Sequence, residues 1–135
     1  MSLKILISQP NLYDSKVFMP LVFLCLKTYV DKRTDVSPVT WLDPLFRNTD
    51  CNTMLKDVDT KNVDILGLSC YDWNWSLQLQ IAKQVKQDNP NVLVVAGGPH
   101  PDWKDKDFFK KYPQIDIVVY NDGERPFAEI VKAMQ

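Results

Sequence analysis

Four short stretches hold the residues whose types and spacing could do chemistry. LSCYDW carries Ser69, Tyr71 and Asp72, and VVAGGPHPDW carries Gly97, Gly98, Pro99 and the single histidine, His100. NDGERP carries Gly123 and Glu124, and QPNLYDSK carries Asn11, Asp14 and Lys16. One histidine and three scattered cysteines (Cys25, Cys51 and Cys70) do not make a zinc set. His100 has no nucleophile at motif spacing, so no Ser–His–Asp triad is read. A phosphate-cradling loop needs glycines so that backbone N–H groups can approach the anion. SQPNLYDSKVFMP, after the first apolar run, has none, which excludes dinucleotide, P-loop and flavodoxin-type flavin binding. A phosphoacceptor site fails as well: the first run ends Ser8-Gln9, the last ends Tyr120-Asn121-Asp122, and Asp72 alone cannot hold magnesium.

The paired glycines remain. The chain has four glycines in 135 residues, and two of them stand together at the end of an apolar run. Glycine there lets the backbone turn sharply and lets a flat or extended ligand lie against it. Glu124 reads first as a helix N-terminal acid favoured by the dipole, before any catalytic role.

These stretches must be placed by the elements that precede them. Five apolar runs read as strands: 4–8, 39–42, 64–69, 91–97 and 116–120. Most are continuous rather than alternating, as in a parallel sheet covered on both faces. Helical segments separate them. Met19 to Tyr29 is apolar almost all round, which predicts a deeply buried helix. Met54, Leu55 and Val58 support a short second helix. Leu77, Ile81 and Val85 mark an amphipathic third that stops near Asn89-Pro90. A fourth is expected over 105–112, and Phe127, Ile130, Val131 and Met134 mark the last, with Pro126 near its first position. The order βαβαβαβαβα predicts a single α/β domain over 1–135. Its five-stranded parallel sheet takes the flavodoxin-like, Rossmann-like order 2-1-3-4-5 with right-handed crossovers. Ligands of such sheets bind at the carboxyl ends of the strands. That edge should carry 9–14, 70–75, 98–103 and 121–125, where Trp73, Trp75, Trp103 and His100 also collect.

Composition narrows the partners. Sixteen basic and 17 acidic residues nearly cancel, and no basic tract suits a phosphate backbone, so no nucleic acid partner is expected. The longest apolar stretch, Phe18 to Leu26, is far short of the roughly 20 residues that span a bilayer, so no membrane partner is expected either. An odd, dispersed cysteine count without a signal peptide reads as reduced thiols in the cytoplasm, with Cys25 and Cys70 as buried packing residues.

VVAGGPHPDW, followed by QIDIVVYNDGERPFAEIV, resembles the cobalamin-binding domain at the N-terminus of many radical S-adenosylmethionine enzymes. In that group the fourth strand ends Gly-Gly-Pro-His, matched by Gly97, Gly98, Pro99 and His100, and a Gly-Glu pair, matched by Gly123 and Glu124, opens the last helix. The resemblance implies a cobalamin whose dimethylbenzimidazole tail is lined by a Ser-x-Leu motif and by Gly-Gly. Ser69 matches the serine, and Tyr71 replaces the leucine. In the Asp-x-His-x-x-Gly motif that supplies cobalt's lower ligand, Asp14 matches the aspartate while Lys16 and Met19 replace the histidine and glycine. Base-off cobalamin without a histidine ligand is therefore implied, with Asn11 and Asp14 in the loop beneath it. His100 would either face the corrinoid or cap local backbone. The Cys-x-x-x-Cys-x-x-Cys motif of the radical enzymes is absent. An iron–sulfur cluster and S-adenosylmethionine would then belong to a downstream radical domain, with this chain a fragment of a longer methyltransferase-like enzyme. The chain alone is expected to hold and position a corrinoid rather than catalyse. The alternatives are a non-catalytic scaffold or interaction domain that has lost the corrinoid, and an independent small-ligand-binding protein.

Overall fold

The computed structural model describes residues 2–12 and 19–135. Its elements run β1 (Lys4–Ser8), α1 (Leu21–Lys32), β2 (Thr40–Trp41), α2 (Cys51–Leu55), β3 (Ile65–Ser69), α3 (Trp75–Asp88), β4 (Leu93–Gly97), α4 (Phe108–Lys111), β5 (Ile117–Val118) and α5 (Glu124–Met134). The strands form one parallel sheet in the order β2-β1-β3-β4-β5, the flavodoxin-like arrangement expected from the alternation of elements.

Two cores sandwich the sheet, because successive strand side chains point to opposite faces. Leu6, Leu66, Leu68, Val94 and Ala96 pack under α2, α3 and α4 with Ile81, Val85 and Phe108. Ile5, Ile7, Ile65 and Val95 pack under α1 and α5 with Val30, Phe127, Ala128 and Val131. The 3.6-residue repeat in α3 buries Ile81, Ala82 and Val85, and that helix ends where Asn89 donates its side-chain amide to the Val63 carbonyl.

The edge strands are shorter than their apolar runs. Backbone bonds from Thr40 to Leu3 and from Leu42 to Ile5 continue the β2 ladder, as do those from Asp116 to Val94 and from Val119 to Ala96 beside β5. An edge strand pairs on one side only, so its ladder tapers off before its hydrophobicity does. The fourth helix is likewise trimmed from 105–112 to a single turn.

One expectation is corrected. The first helix is not deeply buried: Val30 is its one buried residue, Leu21 is 61% exposed, and Leu24, Cys25 and Tyr29 also face outward. It lies on the outside of the sandwich, so its apolar circumference exceeds what a single sheet face can cover. Cys25 is therefore exposed rather than a packing residue, while Cys70 is buried and its thiol is pushed up to about 12 by that burial. No helix among the described residues is long and apolar enough to cross a membrane.

Candidate functional site

Side chains of the α1/α5 face form rows across the sheet. Ile7, Gly67, Val95 and Ile117 are in register. Two residues further along, Ser69 pairs with Gly97, and Val119 follows on the edge. Glycine at 97 and the small serine paired with it thin the sheet's side-chain layer just where α1 and α5 begin, while Gly67, one row further in, yields its space to Ile7 and Phe127. A cleft of about 260 Å³ results, slightly below the ~300 Å³ at which ordinary ligand pockets start. Ile7, Gly67 and Val95 lie along the sheet, Val22 and Leu26 on α1, and Phe127 on α5. Around its opening stand Ser69, Tyr71, Gly98 and the β5–α5 loop residues Asn121, Asp122, Gly123 and Glu124.

The two adjacent glycines have different physical causes. Gly98 has φ +90°, and a Cβ there would sit 2.5 Å from the Cys70 carbonyl oxygen and 2.8 Å from its nitrogen. Glycine is thus imposed by the chain's own turn. Gly97 has no such constraint: its Cβ would meet only the Val119 carbonyl oxygen, at 3.8 Å. Its absent side chain leaves cleft volume. Asn121, at φ 60°, is a left-handed position that asparagine tolerates better than most residues. It turns the chain out of β5 so that α5 starts at the cleft, with Gly123 as its N-cap and Glu124 in its first turn.

The loops around the opening are fastened by a buried amide network on the other face. Gln78, fully buried on α3, accepts from the Ser8 hydroxyl at 2.8 Å and donates to the carbonyls of Ser8 (2.8 Å) and Ser69 (3.0 Å). Asn74 donates to the carbonyls of Ser69 and Pro10 and accepts from the Tyr71 N–H. These bonds tie the ends of β1 and β3 to one helix. Gln9 fixes the cleft's outer wall by accepting from the Val22 N–H in the first turn of α1.

Of the residues singled out from the sequence, the structure brings Ser69, Tyr71, Gly97, Gly98, Gly123 and Glu124 to one cleft. Pro99 and His100 stand on the same loop but do not line it. The His100 ring packs on Trp75, centroids 4.9 Å apart, and the His100 backbone N–H donates to the Cys70 carbonyl. Asn11 donates its backbone N–H to Phe46 away from the cleft. Its side-chain nitrogen is buried without a hydrogen-bond partner among the described residues. Asp14 and Lys16 lie outside the described residues. Trp75 packs against the α3 core, whereas half-buried Tyr71 stacks on exposed Trp73, and exposed Trp103 stacks on exposed Tyr120, at the carboxyl edge. Sequence reasoning missed Gly67, Phe127 and the α1 wall. Gly67 carried a signal, being a lone glycine inside a strand of large apolar residues.

The site's chemistry is one-sided. Among the described residues, those lining the cleft include two carboxylates, Asp122 and Glu124, and neither a cation nor an imidazole. Among the described residues no group of three histidine, cysteine or acidic side chains is placed to hold a metal. Such a cleft suits a mostly apolar body whose periphery donates hydrogen bonds, and it disfavours a polyanion.

Comparison with known proteins agrees with this geometry. The B12 binding domain family model matches residues 34–131. The chain is 37% identical over 115 residues to the cobalamin-dependent radical SAM methyltransferase TokK of Streptomyces tokunonensis. It is 36% identical to the 2-(S-pantetheinyl)-carbapenam-3-carboxylate methyltransferase of Streptantibioticus cattleyicolor. Each alignment covers 84% of this chain but only 17% of the relative's length. An uncharacterised methyltransferase of Pyrococcus horikoshii is 31% identical over 85% of the chain and 24% of its own length. Among solved structures, a putative pilus assembly-related protein of Burkholderia pseudomallei gives a TM-score of 0.59 over 97% of this chain and 87% of its own, at 10% identity, which shows the fold alone. The chain belongs to the B12-binding domain family, as a relative of cobalamin-dependent radical SAM methyltransferases.

Proposed function

We propose that this domain holds a cobalamin at the carboxyl edge of its sheet. The cofactor's nucleotide tail would enter the cleft between the sheet and helices α1 and α5. The observation that carries the reading is the pairing of Ser69 with Gly97 above Gly67 and Val95: side chains are missing where a ligand must lie on the backbone, and the surrounding surface is apolar. Asn121, Asp122 and Glu124 at the opening are acceptors suited to the primary amides that fringe a corrin. When bound, cobalamin supplies a methyl group or tunes radical chemistry. The chain's own residues bind it, orient it and keep water from its buried part.

The cleft offers no imidazole, so the reading is of base-off cobalamin without histidine coordination. Lys16 does not change this, because an ammonium with an ordinary pKa of about 10.4 is a poor ligand near neutral pH. A cytoplasmic radical S-adenosylmethionine domain in the same parent protein is the proposed partner, consistent with the large share of the relatives' length outside the match. The iron–sulfur cluster and S-adenosylmethionine belong to that domain, so this chain alone should release no 5′-deoxyadenosine.

Equilibrium dialysis against hydroxocobalamin, followed by electron paramagnetic resonance of the cob(II)alamin complex, tests the reading. Binding without splitting from a coordinated nitrogen is expected. A splitting that vanishes in His100→Ala would make His100 the ligand. No binding at high micromolar cobalamin would leave the scaffold reading in its place.

A further inference from the structure

The cleft also carries a preference that the tail's placement alone does not decide. Its inner row is apolar throughout: Ile7 is 1% exposed, Val95 4% and Phe127 3%. Ile7 and Phe127 close over Gly67, since a Cβ on Gly67 would come within 2.6 Å of the Ile7 Cδ1 and 3.5 Å of the Phe127 Cε2. On the α1 wall Val22 and Leu26 add carbon, and Cys25 adds a thiol, which is only a weak donor. The other polar side chains of the described lining stand further out, Tyr71 beyond the end of β3. Ser69 is one row nearer the opening, and Asn121, Asp122 and Glu124 belong to the loop beyond β5 and the start of α5. Backbone groups offer little more. The strands' amides and carbonyls are spent on the ladder, and the Val119 carbonyl lies beside Gly97 in the outer row rather than at Gly67.

We infer that this cleft discriminates among cobamides by their lower base, taking a dimethylbenzimidazole and rejecting a purine, with Ile7, Val95 and Phe127 as the specificity-determining residues. The inference rests on the proposed binding of a corrinoid tail in this cleft. Dimethylbenzimidazole presents carbon and two methyl groups around most of its rim. Adenine presents an exocyclic amine and ring nitrogens on every edge. The hydroxyls of Ser69 and Tyr71, both in the outer part of the cleft, cannot satisfy that set. Each polar atom buried without a partner keeps its full desolvation cost.

The test is equilibrium dialysis of the wild-type chain against three probes: cobalamin, adeninylcobamide (the same corrin and nucleotide loop with adenine as base) and cobinamide, which has no base. The expected order is cobalamin tightest, with adeninylcobamide at least about tenfold weaker, the effect of one or more unpaired buried polar atoms. Equal affinity for cobalamin and adeninylcobamide, with cobinamide weaker than both, would overturn the base preference while leaving the tail in the cleft. Equal affinity for all three would overturn both the preference and the tail's placement. Binding of none would overturn the proposed function itself. A near-isosteric Val95→Thr variant, checked for folding by its thermal melt, places a hydroxyl on the inner row. It should narrow the ratio between the two complete cobamides, and an unchanged ratio would remove Val95 from the specificity set. Should that variant fail to fold, the wild-type panel still decides the base preference.

Discussion

The two faces of the sheet treat the same level of the molecule in opposite ways. Beside Ser69 and Gly97, the α3 face is filled: Gln78 and Asn74 occupy its polar positions, and Trp75 packs edge to face on Tyr112 and tilted against Phe108. The α1/α5 face at that level is opened by Gly97 and the small Ser69. Both faces belong to the same strands, separated only by the alternation of side chains. A binding site can therefore be made by deleting side chains on one side, provided that hydrogen bonds on the other hold the loops where the deletions leave them.

Gly98 should break this arrangement most completely. Gly98→Ala puts a Cβ against the Cys70 backbone at a positive φ, so neither the turn nor its neighbour can relax cheaply. A loss of more than about 2 kcal/mol in denaturant unfolding is expected, and ligand binding should fail with it. Breaking the filled face at Gln78 comes next. Gln78→Ala strands the Ser8 hydroxyl and removes a side-chain donor from each of the Ser8 and Ser69 carbonyls. About 2–4 kcal/mol of destabilisation is expected from lost bonds and the space left behind. A change under about 0.5 kcal/mol would mean that Asn74 alone suffices to hold the loops.

The difference between the faces was only partly legible in the sequence. Strand order, helix alternation and the carboxyl edge were readable because a continuous apolar run of five residues has few other uses. Ser69, Gly97 and Gly98 were readable because they end such runs. Burial of α1 was misjudged, since an apolar helix looks alike whether its outer stripe meets the same domain or solvent. His100 drew attention as the single imidazole, yet which side of the Gly98 turn its ring takes is decided by its packing on Trp75, distant in sequence, which no local pattern encodes. Gln78 reads as a polar position on an amphipathic helix. Only the meeting of β1, β3 and α3 makes it fully buried. Phe127 fits the core period of α5, but its role over Gly67 depends on the register between strands.

Gly97 separates site from scaffold more sharply than either earlier variant. The Cβ of Gly97→Val would meet no atom closer than the Val119 carbonyl oxygen, at 3.8 Å, its methyls would enter the cleft, and its φ lies outside the left-handed region, so stability should change by no more than about 1 kcal/mol. Cobalamin binding should nonetheless be lost, because the new side chain occupies the cleft beside Ser69. Dialysis and thermal melts on one preparation check both halves. Retained affinity would place the ligand off this row.

The smallest effect belongs to the far end of the open face. There α1 and α5, parted by the cleft at their N-termini, are joined by exposed ion pairs at their C-terminal ends. Arg33 bonds Asp35 at 2.6 Å and Glu129 at 2.7 Å, Lys132 bonds Asp35 at 2.9 Å, and Gln135 exchanges two bonds with Ser37. Hydrogen bonds from Arg33, and for Asp35 also from Lys132, hold both carboxyls below the usual carboxylate range. A carboxyl lowered in the folded state binds its proton more readily when unfolded. Its contribution is therefore complete at neutral pH and is lost as pH falls below the ordinary value of about 4 toward the folded one. Exposed pairs contribute little, so Glu129→Gln should lower the melting temperature at pH 7 by no more than a few degrees. That difference should shrink progressively below about pH 4 and on adding salt. Melts of wild type and variant at pH 7, 4 and 3 check it. A gap that stayed constant to pH 3 would show that Glu129 acts there through packing of its methylenes and not through its charge.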